Sequence, residues 1–159
     1  MASVLSAQGF RFLFRTDEGR IGRQVWWLGT ILLVSIVIVL ALGWLALSPY
    51  AHRTLDERKL LDTMTLVSYT YLMVYAFAVL LIAVCYVNLS AKRLRDGGVL
   101  PGLAGAAPLA IFLALAAHWL QPRVAEVFPY ALLVVIDLLA LGVILWQVYL
   151  LGVRASEAP

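Results

Sequence analysis

The sequence predicts an all-α integral membrane protein, a bundle of four transmembrane helices with both termini in the cytoplasm. Three observations support this prediction: the composition, four long apolar stretches and the distribution of basic residues. Of the 159 residues, 64% are hydrophobic and 13% are charged, against about 45–50% and about 25% in soluble domains. So few charged side chains cannot give a soluble globule a polar surface, and the high apolar content excludes intrinsic disorder.

Four stretches have the length and composition of membrane spans, because a transmembrane helix needs about 20 mostly apolar residues. The first three contain no Asp, Glu, Lys or Arg, and Asp137 is the one such residue in the fourth. No connecting segment is long enough to form a separate domain. The predicted spans are approximately residues 25–47, 64–89, 100–120 and 128–153.

Local signals set the ends of these helices. Pro49 is expected to end the first helix, because proline lacks an N–H donor and clashes with the preceding turn. The pair Gly97-Gly98 predicts a turn after the second helix. Pro108 falls inside the third helix, where it is expected to kink the chain and release a carbonyl near Ala104 for a neighbouring helix to bind.

The basic residues divide unevenly between the two sides of the membrane. Eight lie in the N-terminal segment, the loop after the second span and the tail: Arg11, Arg15, Arg20, Arg23, Lys92, Arg93, Arg95 and Arg154. Four lie on the other side: Arg53, Arg58, Lys59 and Arg123. Because cytoplasmic loops carry the excess of Lys and Arg, this division predicts a cytoplasmic interfacial segment (1–23), a membrane domain (24–153) and a short cytoplasmic tail (154–159).

Two arginines and two tryptophans mark the start of the first span. Arg20 and Arg23 are three residues apart and share one face of a helix. Trp26 and Trp27 stand where an aromatic belt is expected at the membrane interface. One interpretation of this segment is topology and anchoring. The other is an arginine pocket for a phosphate headgroup, since a guanidinium group binds phosphate through two parallel hydrogen bonds.

A second charged segment closes the second span on the same side. It contains Arg93, Arg95 and the acidic residue Asp96. An acid at the carboxyl end of a helix opposes the helix dipole, so Asp96 is expected to have a cationic partner. Arg20, Arg23 or a flanking arginine is the predicted partner. Such a pair would tie the N-terminal segment to the loop between the second and third spans.

Two motifs occupy these positions. The pattern Gly-Arg-x-[Ser/Gly]-Arg-x-x-aromatic-Trp is matched by Gly19, Arg20, Gly22, Arg23, Trp26 and Trp27. The pattern Arg-Leu-His-Asp-x-Gly is matched by Arg93, Leu94, Asp96 and Gly98, with Arg95 in place of the histidine. Together they resemble a bacterial inner-membrane family named only as domain of unknown function 805, over about residues 10–150. The resemblance implies a small multi-span inner-membrane protein without a settled activity.

Asp137 is the strongest anomaly within the spans. It lies about nine residues into the fourth span, or about 13 Å deep at 1.5 Å per residue. A charged Asp at the membrane centre costs about 2.5–3.5 kcal/mol on insertion scales. Asp137 is therefore predicted to point into the bundle, beside the hydroxyl of Tyr71 or Tyr75, a carbonyl released by Pro108, or water, with depth favouring the tyrosines. A functional role, a structural hydrogen bond and contact with a partner subunit remain open, and His118 is interpreted as an interfacial residue.

Several classes of function lack support in the sequence. Cys85 is the one cysteine, and with two histidines it forms no cluster with metal-ligand spacing, so no metal site is expected. The chain has no catalytic or nucleotide-binding fingerprint, so no catalytic residue and no cofactor are assigned. The pI near 9.2 would indicate nucleic acid in a soluble protein. Here basic residues alternate with apolar stretches, which favours the lipid bilayer and its anionic phospholipid headgroups.

Three hypotheses of function follow. The first is a non-enzymatic accessory or scaffold protein that binds anionic lipid or a membrane protein partner through one basic face, formed by Arg20, Arg23, Arg93 and Arg95. A homo-oligomer is the alternative to a different partner protein. The second is a small transporter or proton-conducting subunit that uses Asp137. The third is an enzyme acting on a lipid phosphate, for which no nucleophile or base is evident beyond Asp96.

Overall fold

The computed structural model describes residues 7–51, 62–124 and 128–155, and within these ranges the regular structure is helical, without strands. Two short 3₁₀ segments, Pro101–Gly105 and Gln121–Arg123, flank the fourth helix, and a π-helical turn, Tyr149–Val153, extends the fifth. The five α-helices are α1 (Ala7–Phe14), α2 (Arg23–Ala51), α3 (Thr63–Asp96), α4 (Ala106–Leu120) and α5 (Tyr130–Val148).

The predicted all-helical class is confirmed within the described residues, and four helical stretches are long and apolar enough to cross a membrane, as a multi-pass membrane protein requires. Large apolar side chains point outward along them, for example Met73 and Leu45, which are 77% and 68% exposed. This is the surface that lipid covers in a protein whose helices satisfy their own backbone hydrogen bonds. The four stretches are Arg23–Ala51, Thr63–Asp96, Pro101–Arg123 and Tyr130–Val153.

The first span does not end at Pro49, so that expectation was wrong. Helix α2 continues to Ala51. Proline cannot donate to the carbonyl four residues earlier, which here belongs to Leu45. The hydroxyl of Ser48 donates to this carbonyl over 3.1 Å. The serine next to the proline thus supplies the missing donor, and the helix extends for two more residues.

Helix α3 ends in a glycine turn, as the pair Gly97-Gly98 predicts. Gly98 has a φ of 66°, a left-handed conformation that glycine adopts without strain. The N–H of Val99 donates to the carbonyl of Leu94 over 2.9 Å, and the N–H of Gly98 donates to the carbonyl of Arg95 over 3.3 Å. These two bonds form the Schellman motif that satisfies free carbonyls at a helix end. The turn sends the chain into the 101–105 segment.

Pro108 lies in the first turn of α4 and not in the middle of a helix. The carbonyl of Ala104 accepts a hydrogen bond of 3.0 Å from the side-chain amide of Gln147 on α5. A carbonyl released near Ala104 and bound by a neighbouring helix was expected, and Gln147 is the donor. The same amide donates to Leu103 and accepts from the N–H of Ala107. One buried side chain therefore joins α5 to the start of α4.

The four spanning segments form two helical hairpins that meet mainly at one end. Helix α2 packs along α3, and α4 packs along α5. The 101–105 segment lies against α3, and the 149–153 turn lies against α2 and α3. We call this the packed end of the bundle. The buried apolar cluster is centred there, and its members are Leu13, Phe14, Ile21, Trp26, Leu33, Leu89, Ala91, Leu94, Ala104 and Leu151.

Candidate functional site

A buried lysine fixes the N-terminal helix to the packed end. Lys92 is fully buried, and its ammonium group donates to the carbonyls of Leu13, over 3.2 Å, and Thr16. The side-chain amide of Asn88, one helical turn earlier, donates to the carbonyl of Phe14 over 2.9 Å. The last carbonyls of a helix lack partners within it and attract cations. Two polar side chains of α3 thus cap the carboxyl end of α1.

Arg93 holds the end of the last span in a similar way. Its side chain is about 1% exposed. Its Nε donates to the carbonyl of Leu151 over 2.9 Å, and one Nη donates to the carbonyl of Arg154 over 2.6 Å. The other Nη forms an ion pair with Asp96. The planar guanidinium group can serve all three acceptors at once, so Arg93 connects α3 to the final turn of the fourth span.

The partner of Asp96 is a flanking arginine, but the pair does not tie the N-terminal segment to the loop. Asp96 pairs with Arg93, which lies three residues earlier on the same helix face. Arg20 is exposed and makes no polar contact with any described residue, and Arg23 reaches the carbonyl of Val153 at 3.5 Å. Of the three predicted alternatives the flanking arginine is therefore the partner, since Arg93 and Asp96 lie one helical turn apart on α3.

A surface pair connects the N-terminal segment to the end of α3. Arg95 lies 3.0 Å from the carboxylate of Asp17 and also donates to its backbone carbonyl. The Arg95 hydrogen bond lowers the pKa of Asp17 below its ordinary value. A carboxylate whose pKa is lowered by folding stabilises the folded state fully when the pH is above its ordinary pKa. This stabilisation is lost as the pH falls through the lowered pKa. The connection therefore persists at neutral pH.

The two tryptophans at the start of α2 have different roles. Trp26 is fully buried, and its indole N–H donates to the hydroxyl of Ser90 over 3.3 Å, so it is a core residue and not part of an interfacial belt. Trp27 donates to the carbonyl of Gly152 over 3.1 Å. A Cβ atom at position 152 would lie 2.7 Å from the Trp27 ring. Gly152 therefore permits the close contact between the first and last spans.

A cavity of about 400 Å³ opens beside these contacts. The amino end of α2 forms one wall and has no acidic residue in its first turn. The first helical hydrogen bond is donated by the N–H of Trp26, so the preceding N–H groups are not used within the helix. Such an end attracts anions. We call this the arginine cavity, and its lining residues are Gly22, Arg23, Gln24, Val25, Arg93, Arg154 and Ala155.

The arginine cavity brings together only two of the four arginines of the predicted basic face. Arg23 and Arg93 line it. Arg95 instead pairs with Asp17, and Arg20 is exposed and does not line the cavity. Arg154 joins the cavity from the far end of the chain. In the sequence analysis Arg154 contributed only to the prediction of topology. Arg23 and Arg154 are 131 positions apart in the chain, and the sequence gives no local signal that they meet.

Asp137 contacts a histidine and not the tyrosines, so that expectation was wrong. His118 Nε2 lies 3.1 and 3.0 Å from the two carboxylate oxygens of Asp137. The hydroxyl of Tyr71 donates to the carbonyl of Leu40 over 2.8 Å, and the ring of Tyr75 stacks on that of Tyr71. The tyrosines belong to the first hairpin and Asp137 to the second. Asp137 is 46% exposed in the single chain, so it does not point into a closed bundle.

Sequence reasoning missed the polar residues that organise the packed end. Lys92 was counted for topology alone, and Asn88, Ser90 and Gln147 were given no role. One signal was available: Asn88 and Lys92 are four residues apart, so they share a face of the second span near its end. Polar residues on one face of a spanning helix commonly bind protein groups. Which groups they bind depends on the tertiary fold.

The fold and these contacts define a multi-pass helical membrane protein with a polar, closely packed end. No family model, curated protein or solved structure matches the chain.

Proposed function

We propose that this protein is a small non-enzymatic accessory or scaffold protein of the bacterial inner membrane, which binds the phosphate of an anionic phospholipid in the arginine cavity. The observation that supports this function is the meeting of Arg23 and Arg154 with the amino end of α2 around one cavity of about 400 Å³, to which the buried Arg93 adds its positive charge. Arginine suits phosphate because its planar fork donates two parallel hydrogen bonds. The helix end adds unused N–H groups and a partial positive charge.

The position of the cavity favours a lipid headgroup as the source of the phosphate. It lies where α2, the first span, begins. At the same packed end, α1 lies against α3 and exposes the rings of Phe10 and Phe12. Exposed aromatic rings next to basic residues are typical of segments that lie in the headgroup region. A phosphate bound at the start of the first span can belong to a lipid whose acyl chains lie along the exposed apolar face of α2.

The packed end faces the cytoplasm in this proposal. The ends of the described chain and the turn after α3 all lie at the packed end. It contains eight of the 12 Lys and Arg residues, and the positive-inside rule places such an end in the cytoplasm. The two motifs that resemble the inner-membrane family named as domain of unknown function 805 also lie here. Anionic lipids attract basic residues on this side of the membrane.

Lipid binding by charge-neutralising variants tests the proposed function. The purified protein in mild detergent is titrated with short-chain phosphatidylglycerol and, separately, with phosphatidylcholine. We expect preference for phosphatidylglycerol, and we expect Arg23→Gln and Arg154→Gln each to weaken its binding about 10- to 100-fold, since a hydrogen bond to a charged group contributes about 1.5–3 kcal/mol.

Arg20→Gln is the matched control, because Arg20 carries the same charge on the same side without lining the cavity. It should change binding by less than about threefold. An equal loss in Arg20→Gln, or equal binding of the two lipids by the parent protein, would reject the cavity as a headgroup site. Capture of a stoichiometric protein partner that protects Arg23, without lipid preference, would assign the cavity to that partner.

A second candidate function is supported by the contact between His118 and Asp137. Two titratable groups at 3.0 Å lie within apolar spans, and such residues in membranes often carry protons. Under this hypothesis the chain is a small transporter or proton-conducting subunit. Liposomes containing the protein should dissipate an imposed pH gradient, and Asp137→Asn should reduce this flux at least tenfold while the protein stays folded. Equal flux through empty liposomes would exclude the function.

A further inference from the structure

His118 and Asp137 form a polar site on an otherwise apolar outer surface. His118 lies near the end of α4, and Asp137 lies seven residues after the start of α5, about 10 Å along the helix. Their side chains are 50% and 46% exposed in the single chain. The flanking side chains of the same faces are exposed and apolar: Leu115, Val134 and Leu141. In a membrane, this surface would place polar atoms against hydrocarbon, which is costly.

The pair retains unused hydrogen-bonding capacity. Nε2 of His118 faces the carboxyl group of Asp137, and no described residue binds the other ring nitrogen, Nδ1. A pair with no net charge holds two protons, one between Nε2 and the carboxyl group and one on Nδ1, so that Nδ1 is a donor. In hydrocarbon this form costs less than a pair that carries a net charge. The carboxyl oxygens have further lone pairs and are acceptors. The exposed side of the pair therefore presents one donor next to one acceptor.

We infer that a second copy of this chain covers this surface, so that each His118 Nδ1 donates to Asp137 of the other copy about a two-fold axis. A surface with adjacent donor and acceptor is complementary to itself under two-fold rotation, which is the symmetry of most homodimers. Lipid tails offer neither group. The contact completes the hydrogen bonding of both pairs inside the membrane. This interface lies away from the packed end and is independent of the arginine cavity.

Cysteine cross-linking in lipid vesicles tests the dimer. In a Cys85→Ser background, which removes the one native cysteine, Val134→Cys and Leu141→Cys place a thiol one helical turn to either side of Asp137. Leu139→Cys is the matched control, since position 139 is on the opposite face of α5 and is 66% exposed. With an oxidant at a low protein-to-lipid ratio, at least one of the two test variants should form dimers tenfold faster than the control.

Removal of the polar pair separates a specific interface from random collision. His118→Leu combined with Asp137→Leu should lower cross-linking to the rate of the control, while the tryptophan fluorescence of the packed end, where Trp26 is buried, stays unchanged and shows that the chain is folded. Asp137→Asn should keep most of the cross-linking, because an amide still accepts a hydrogen bond. Equal rates at positions 134, 139 and 141 would overturn the dimer, as would undiminished cross-linking in the double leucine variant. Cross-linking to a different protein in native membranes, without a homodimer, would also overturn it.

Discussion

Arg93→Met is expected to lower the free energy of unfolding by about 3–5 kcal/mol, which is the typical cost of breaking a buried ion pair by removing one partner. The substitution removes the donor to the carbonyls of Leu151 and Arg154 and the cation beside Asp96. These groups lie where the last span meets α3. Unfolding in mixed micelles, followed by tryptophan fluorescence, measures the loss directly, because Trp26 and Trp27 lie in the same packed end.

Arg95→Met is the control for this prediction. Arg95 is two residues later on the same helix, but its pair with Asp17 is on the surface, where ion pairs contribute little. Arg93→Lys should give an intermediate loss, because lysine keeps the charge but does not reproduce the planar fork of donors. Losses of similar size in Arg93→Met and Arg95→Met would show that burial of the guanidinium group is not the cause of the effect.

Gln147→Leu is expected to lower the free energy of unfolding by about 2–4 kcal/mol. Gln147 is 1% exposed and bonds three backbone groups, those of Leu103, Ala104 and Ala107. Leucine has a similar volume but leaves the carbonyl of Ala104 and the N–H of Ala107 unpaired, whereas the carbonyl of Leu103 keeps the N–H of Ala106 as a donor. Each buried unpaired group costs about 1–3 kcal/mol. The packing of α5 against the start of α4 should weaken because the Gln147 hydrogen bonds that join them are lost.

Hydrogen exchange at Ala107 provides a local measure of this change. Its N–H donates to the side chain of Gln147, so exchange there should become at least tenfold faster in Gln147→Leu. Trp146→Leu is the control, because Trp146 is the preceding residue on the same helix and is 43% exposed. Unchanged exchange at Ala107 in Gln147→Leu would contradict the assigned role of the amide.

Much of the secondary structure follows from local properties of the sequence. The turn after α3 was predicted from Gly97 and Gly98, since a left-handed residue at a helix end favours glycine. The four candidate spans follow from apolar length. A membrane helix bonds its own backbone within one segment, so hydropathy over about 20 residues is enough to identify it. Pro49 was the exception, because Ser48 provides the hydrogen bond that proline lacks.

The pairing of polar side chains between helices was decided by the tertiary structure. Asp137 was expected beside tyrosines of the second span, but the α4–α5 hairpin brings it to His118, 19 residues earlier. Arg93 and Arg154 line one cavity because the last turn of the chain packs against α3. Such contacts depend on the rotation and register of each helix. The apolar faces of the helices do not determine rotation and register, because lipid tails and neighbouring helices are similarly apolar. The few polar contacts and small residues determine the packing instead.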